Sequence, residues 1–290
     1  MPWVVFIHGL GVDKGIWSEP DEARILGGLL PLRSIVRTGG RLRSLYHDLA
    51  EAGFTTLAFS LKRPVGGIEE ALPVLAAFLD MARAEKTAGV VLVGHSRGGL
   101  IARKYLERRD PLIKGFVSIA SPHGGTTLAR WAAIARPAAA LVRIIQTGGA
   151  IQTGGTAGSG DGKKSGVGVA VKRIIAFIES PAVAELLPDS PFFAGLKPPA
   201  TRCPSVSIGG TDPRLFSFMG IGFPKLLEKV VPGWVLPEEI RSGLGDGLVS
   251  AGSSVYPYGR EHLNFPINHA ETVFDGTARA ELVKRIVSFF

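Results

Sequence analysis

Gly94-His95-Ser96-Arg97-Gly98 stands directly behind the apolar run Val90-Val91-Leu92-Val93 and ahead of a segment in which Leu100, Ile101, Tyr105 and Leu106 recur at helical spacing. Strand, G-x-S-x-G, helix is the pattern of a nucleophile elbow: the chain reverses sharply, the serine takes a strained backbone conformation, and the glycines let neighbouring segments come close. A serine hydroxyl attacks nothing until a base removes its proton, so a histidine must reach Ser96 and a carboxylate must reach that histidine. Where this elbow occurs, the three follow one another as serine, acid, histidine.

Downstream of Ser96 the histidines are His123, His262 and His269. His123, in Ser-Pro-His-Gly-Gly-Thr, follows the next strand closely, and the carboxylate before it, Asp110, is assigned to the elbow helix; it reads as a turn histidine. His269, in Phe-Pro-Ile-Asn-His-Ala-Glu, sits on a loop before a helix expected over 277–289, the place for the base, with His262 as the fallback. Two carboxylates compete for the acid. Asp246 in Gly-Leu-Gly-Asp-Gly-Leu-Val-Ser lies among glycines whose tight loop lets backbone amides keep a carboxylate ionised. Asp212 in Gly-Gly-Thr-Asp-Pro-Arg ends a strand and rivals it, whereas Asp189 and Asp275 read as surface or helix-edge carboxylates.

The oxyanion of an acyl-transfer intermediate needs two fixed N–H donors. One is the amide of Arg97, directly after the nucleophile. The other belongs to a loop after an early strand, and Phe6-Ile7-His8-Gly9-Leu10-Gly11 supplies it, with Leu10 the donor. His8 is expected to fix that loop, and His95 to support the nucleophile it precedes.

These residues need a scaffold. Strands are expected at 3–7, 54–60, 90–93, 113–121 and 203–212, with helices at 42–53, closed by Gly53, at 69–86 and after the elbow. Such alternation predicts a mostly parallel sheet with helices on both faces. Beyond residue 125 the pattern changes. An alanine-rich helical stretch is interrupted at Pro137, a tandem Ile-Gln-Thr-Gly-Gly repeat opens a glycine-rich loop, and 168–187 returns to helix with Val171, Ile174, Ile175 and Ile178 on one face. A second irregular stretch after Asp212 is rich in Phe, Trp, Met and Pro.

Composition bounds the answer. The 290 residues, 46% of them hydrophobic and 20% charged, suffice for one large α/β domain or two small ones. The net charge of +8 comes from scattered Lys and Arg with no basic run interleaved with aromatics, so no nucleic-acid partner is expected. The single cysteine, Cys203, allows no internal disulfide and reads as a small buried residue. The start, Met-Pro-Trp-Val-Val-Phe, has no signal-peptide pattern, which places the chain in the cytoplasm or makes it a secreted mature form. No apolar stretch reaches the length of a membrane span.

Four separated pieces agree in order: His-Gly-Leu-Gly near the start, Gly-His-Ser-Arg-Gly-Gly, Ser-Pro-His-Gly-Gly-Thr one strand later, and Gly-Asp-Gly-Leu-Val-Ser followed by Asn-His-Ala-Glu. Together they resemble the α/β-hydrolase fold and, within it, the bacterial triacylglycerol lipases and carboxylesterases. The resemblance implies a serine ester hydrolase, with Asp246 as the acid and His269 as the base. It also implies a helical lid or cap: 1–127 and 201–290 would be the two parts of the hydrolase core, and 128–200 the inserted lid with its glycine-rich loop. Lipid or another acyl ester is the implied substrate, with transient contact at a lipid interface. Short-chain ester hydrolysis, thioester hydrolysis and acyl transfer are alternatives on the same triad. Some of these lipases carry a disulfide and a calcium site near the histidine loop; here Glu271 is the only carboxylate placed to help, so neither metal nor other cofactor is expected.

Overall fold

A computed structural model describes residues 1–25, 27–37, 39–130, 176–177, 179–200, 202–215, 217–218, 221–222 and 236–290. Six strands form one parallel sheet: β1 (Trp3–Ile7), β2 (Thr55–Phe59), β3 (Val90–His95), β4 (Ile113–Ile119), β5 (Ser205–Gly210) and β6 (Glu261–Phe265), in the spatial order β6-β5-β4-β3-β1-β2. The helices are α1 (Gly15–Ser18), α2 (Leu45–Glu51), α3 (Ile68–Ala84), α4 (Arg97–Tyr105), α5 (Pro181–Ala184), α6 (Pro191–Ala194) and α7 (Gly276–Val287).

The alternation of side chains along each strand feeds two apolar layers. Val4, Phe6, Val91, Val93, Val117 and Ile119 pack with Trp17, Leu45, Leu49, Leu282 and Ile286 of α1, α2 and α7. Val5, Ile7, Val90, Leu92 and Phe116 pack with Leu72, Leu75 and Leu79 of α3 and Leu100 and Ile101 of α4. Every residue of β3 is buried. That is why its sequence is continuously apolar: a parallel strand covered on both faces has no solvent side to mark with polar residues.

The topology also fixes where the chemistry can sit. From β1 the chain moves outward to β2 and then crosses back to β3 on the other side of β1, after which it continues away through β4, β5 and β6. The strand order reverses between β1 and β3, and a parallel sheet opens a crevice beyond the carboxyl ends of its strands at such a point. The loop carrying Leu10 and the turn carrying Ser96 leave these two strands at that crevice.

Three expectations change. Asp110 lies beyond α4, which ends at Tyr105, and its carboxylate takes Arg83 at 3.0 Å and the Tyr105 hydroxyl at 3.1 Å. The helix expected over 168–187 does not run through: Ser180 caps a new four-residue helix with Pro181 at its start, and Ser190 with Pro191 repeats the device in α6. Serine followed by proline is a helix start, because the hydroxyl accepts a free amide of the first turn and proline has no N–H to lose. Cys203 is half-buried beside the α3/α4 layer, with its thiol pushed up by burial. The alanine-rich stretch, the glycine-rich loop and most of the expected lid, 131–175 and 178, lie outside the described residues, as does most of the aromatic stretch over 216–235.

Candidate active site

Ser96 has φ 54° and ψ −126°, a conformation that L-residues other than glycine rarely adopt. It persists because the surroundings determine it. The Ser96 amide donates to the Ile119 carbonyl of β4 at 2.8 Å, and its own carbonyl accepts from Gly99 at 3.0 Å. A Cβ on Gly94 would lie 2.4 Å from the Gly99 nitrogen, and one on Gly98 would lie 2.3 Å from the Ile7 carbonyl oxygen. Glycine at both positions is what lets α4 begin directly beneath β3 and against the end of β1. Gly9 completes the junction, since its missing Cβ would sit 2.9 Å from that of Ser96.

The loop after β1 is set by His8. Its Nε2 accepts from the Leu61 amide at 3.2 Å, so its proton is assigned to Nδ1, which donates to the Gly9 carbonyl at 2.8 Å. Burial pushes its pKa down, in keeping with a neutral ring that uses one nitrogen as donor and the other as acceptor. The Leu10 amide has no backbone partner among the described residues. Arg97 opens α4, and the first amides of a helix lack an intrahelical acceptor. Among the described residues, the Leu10 amide and the first amide of α4 therefore stand as the candidate donors beside the serine.

Asp246 is fully buried, and its Oδ1 accepts the amides of Leu248 at 2.9 Å and Val249 at 2.7 Å. Gly247, at φ 100°, lets the chain turn tightly enough to present them. The other oxygen, Oδ2, accepts from His269 Nδ1 at 2.8 Å, and the His269 amide donates to the Asp246 carbonyl at 2.9 Å. The His269 carbonyl is held by the Thr272 hydroxyl at 2.7 Å and by His95 Nε2 at 3.2 Å. Burial, followed by the neighbouring His269, pushes the His95 pKa well down, so its ring is a neutral donor. With Nδ1 donating to Asp246, a neutral His269 ring has Nε2 as its acceptor nitrogen. Ser96 and His269 line one cavity of about 290 Å³, together with Gly9 and Leu10 and the side chains of Leu32, Ile35, Leu186 and Val249.

The rivals lie elsewhere. His123 is buried with Nε2 against the Ser118 hydroxyl at 2.7 Å, and His262 on β6 is taken up by Ser207 at 2.8 Å and Asn264 at 3.0 Å. Asp212 is bound by Arg37 and Arg214, each donating to Oδ2, at 2.8 and 2.6 Å. Asp189 is an exposed partner of Arg130 and Asp275 caps α7. Among the described residues no group of three or more His, Cys, Asp or Glu is placed to hold a metal ion. Also among them, no helix is long and apolar enough to cross a membrane.

Sequence reasoning missed the Arg97 side chain. Although charged, it is almost wholly buried and reaches the carbonyls of Pro64 and Gly66 and, at 3.4 Å, the Glu185 carboxylate. Glu185 also accepts the Ile68 amide at the start of α3 at 2.9 and 3.0 Å. The elbow is thus tied to α3 and to the segment just after α5. Burial pulls the Arg97 pKa down, with Glu185 opposing. No spacing in the sequence joins residues so far apart.

A family model described as the alpha/beta hydrolase family matches residues 4–243, well over half of the chain. The chain belongs to that family. Among solved structures, this chain is similar to the mature lipase BlEst2 of Bacillus licheniformis, at 15% identity and a TM-score of 0.59 over 99% of this chain and 91% of that one. It is also similar to the metagenomic carboxyl esterase MGS0156, at 16% identity and a TM-score of 0.53 over 99% and 75%. Lipase 1 from Pelosinus fermentans gives 16% identity and a TM-score of 0.53 over 98% of each chain. At such identities the likeness speaks of the fold. No curated protein matches the hydrolase by sequence. The family match ends before Asp246 and His269.

Proposed function

We propose that this hydrolase is a serine carboxylic-ester hydrolase for esters with an apolar acyl group, lipases and long-chain esterases being the nearest class. The observation that carries the reading is an apolar cavity bordered by a strained serine, the loop of Leu10 and a histidine whose far nitrogen is held by a buried carboxylate. In this mechanism His269 Nε2 takes the Ser96 proton as Oγ bonds to the ester carbonyl carbon. The amides of Leu10 and Arg97 receive the oxyanion, and Asp246 steadies the imidazolium. His269 then protonates the departing alcohol as the C–O bond breaks, leaving the acyl group on Ser96. Water repeats the cycle and releases the acid. The described ends of the 128–200 stretch, with Leu128, Ala129, Phe177, Val183 and Leu186, line this cleft.

Initial rates on p-nitrophenyl esters from acetate to palmitate, with Ser96→Ala alongside, test this. Rates should rise toward the longer chains, and the variant should lose on the order of 10⁶ in turnover, by the precedent of serine proteases. Activity that survives in Ser96→Ala would end the reading. A maximum at acetate would reduce it to a short-chain esterase.

A further inference from the structure

Arg37 has no place in any motif of the sequence, yet it makes four hydrogen bonds to two carboxylates. Its amide and Nε donate to Glu271 Oε1, both at 2.9 Å, and Nη2 donates to Glu271 Oε2 at 2.7 Å and to Asp212 Oδ2 at 2.8 Å. Both carboxylates are buried, while the guanidinium itself lies half-exposed over them. Glu271 stands two residues after His269. Its Oε2 also accepts the Asn268 amide at 3.2 Å, on the other side of that histidine. Asn268 Oδ1 in turn accepts the amides of Ala270 and Glu271, each at 3.0 Å, and its Nδ2 donates to the Ile35 carbonyl at 3.1 Å. The residues flanking His269 are thereby pinned to the segment 35–37 and, through Asp212, to the end of β5.

We propose that Arg37 is a positioning residue: it braces the His269 loop by joining Glu271 and Asp212, and so sets where the His269 imidazole stands relative to Ser96. The proposal rests on His269 being the catalytic base. An isolated exposed ion pair does little, but here one fork-shaped cation closes on two buried anions through several bonds. Arg214 reaches Asp212 but makes no hydrogen bond to Glu271 among the described residues. Without the Arg37 guanidinium the Glu271 carboxylate keeps the amides of residue 37 and Asn268 but loses two of its four hydrogen bonds and its charge partner, which loosens its hold on Asn268 and the loop. A displacement of the order of 1 Å at the reacting groups costs about 10²-fold in rate.

The test compares wild type, Arg37→Met, Arg37→Lys and Glu271→Gln, each titrated with a fluorophosphonate so that turnover is counted per reactive Ser96. Arg37→Met should lose about 10²-fold in kcat per titrated site with KM little changed. Arg37→Lys should recover part of that loss, since an ammonium keeps the charge and forfeits the fork. Wild-type kcat per titrated site in Arg37→Met, whatever its melting temperature, would overturn the proposal and leave Arg37 a stabilising residue only. Should Arg37→Met not fold, Arg37→Lys and Glu271→Gln decide: lowered kcat at unchanged KM supports the brace, and wild-type kcat in both overturns it. A wild type that fails to titrate at Ser96 would instead remove the ester-hydrolase reading beneath it.

Discussion

At the elbow, Ser96 is placed by backbone packed on backbone; across the cavity, Asp246 and His269 are placed by side chains and amides that meet over long separations in the chain. The elbow is marked by a few consecutive residues, and its tolerances are those of a missing Cβ: 2.4 Å at Gly94 and 2.3 Å at Gly98. Asp246 and His269 draw on 35–37, 212–214, 246–249 and 268–272, joined by hydrogen bonds and charge. Damage to the first should therefore read out as misfit, and damage to the second as lost orientation in a protein that still folds.

The largest effect expected on the acid–base side comes from Asp246→Asn. The amide keeps the shape and can still accept the Leu248 and Val249 amides, but it can also present an NH₂ to the imidazole and favour the wrong tautomer. By the precedent of the protease triad, kcat should fall about 10⁴-fold while the fold remains. Steady-state kinetics on the preferred ester, with far-UV circular dichroism beside them, check both halves. A variant within tenfold of wild type would mean that His269 is oriented by its carbonyl partners, His95 and Thr272, without Asp246.

On the elbow side the corresponding change is Gly98→Ala. The new methyl would meet the Ile7 and His8 carbonyl oxygens at 2.3 and 2.8 Å, and backbone cannot swing aside as a side chain can. Overpacking of this kind costs about 1–3 kcal/mol, to be read from urea unfolding. Gly252→Ala is the matched control, because nothing lies within 4 Å of its Cβ position, and it should stay within about 0.5 kcal/mol of wild type. Equal stability of the two variants would deny that the elbow is held by close approach.

The same contrast governs what could be read from the chain. Gly94, Ser96 and Gly98 are adjacent in sequence and follow a strand apolar on both faces, so local pattern carries the whole device. The neighbours of Asp246 and Asp212 left both in play, because a glycine-flanked loop and a strand end can each present a carboxylate. What distinguishes them is the partner each meets in space: a histidine 23 residues on for Asp246, and arginines for Asp212. Glu271 was visible as a carboxylate beside the histidine loop, but its partner is 234 residues away, beyond the reach of any periodicity. Asp110 and the far end of the helix expected over 168–187 fall beyond helix ends for a local reason. Apolar spacing continues past Tyr105 and past the Ser180-Pro181 start, where the helices end or reset.

The smallest effect expected is a pH dependence that belongs to the acid–base side alone. Burial pushes the Asp212 carboxyl up, but hydrogen bonds from Arg214 and Arg37 outweigh it and hold the pKa down at about 2. A carboxylate depressed in the folded state stabilises it fully above the unfolded value of about 3.9, and that stabilisation drains away as pH falls through the folded value. The contribution is up to about 2 kcal/mol, present at pH 5 and fading between about pH 4 and pH 2. Urea midpoints for wild type and Asp212→Asn should therefore differ most at pH 5 and converge as the solution is acidified. Gly98→Ala, whose lesion involves no titrating group, should instead run parallel to wild type over the same range. If Asp212→Asn also stays parallel, the acid sensitivity of this end resides in another carboxylate, Glu271 first, since its pKa too is held down by Arg37 against burial.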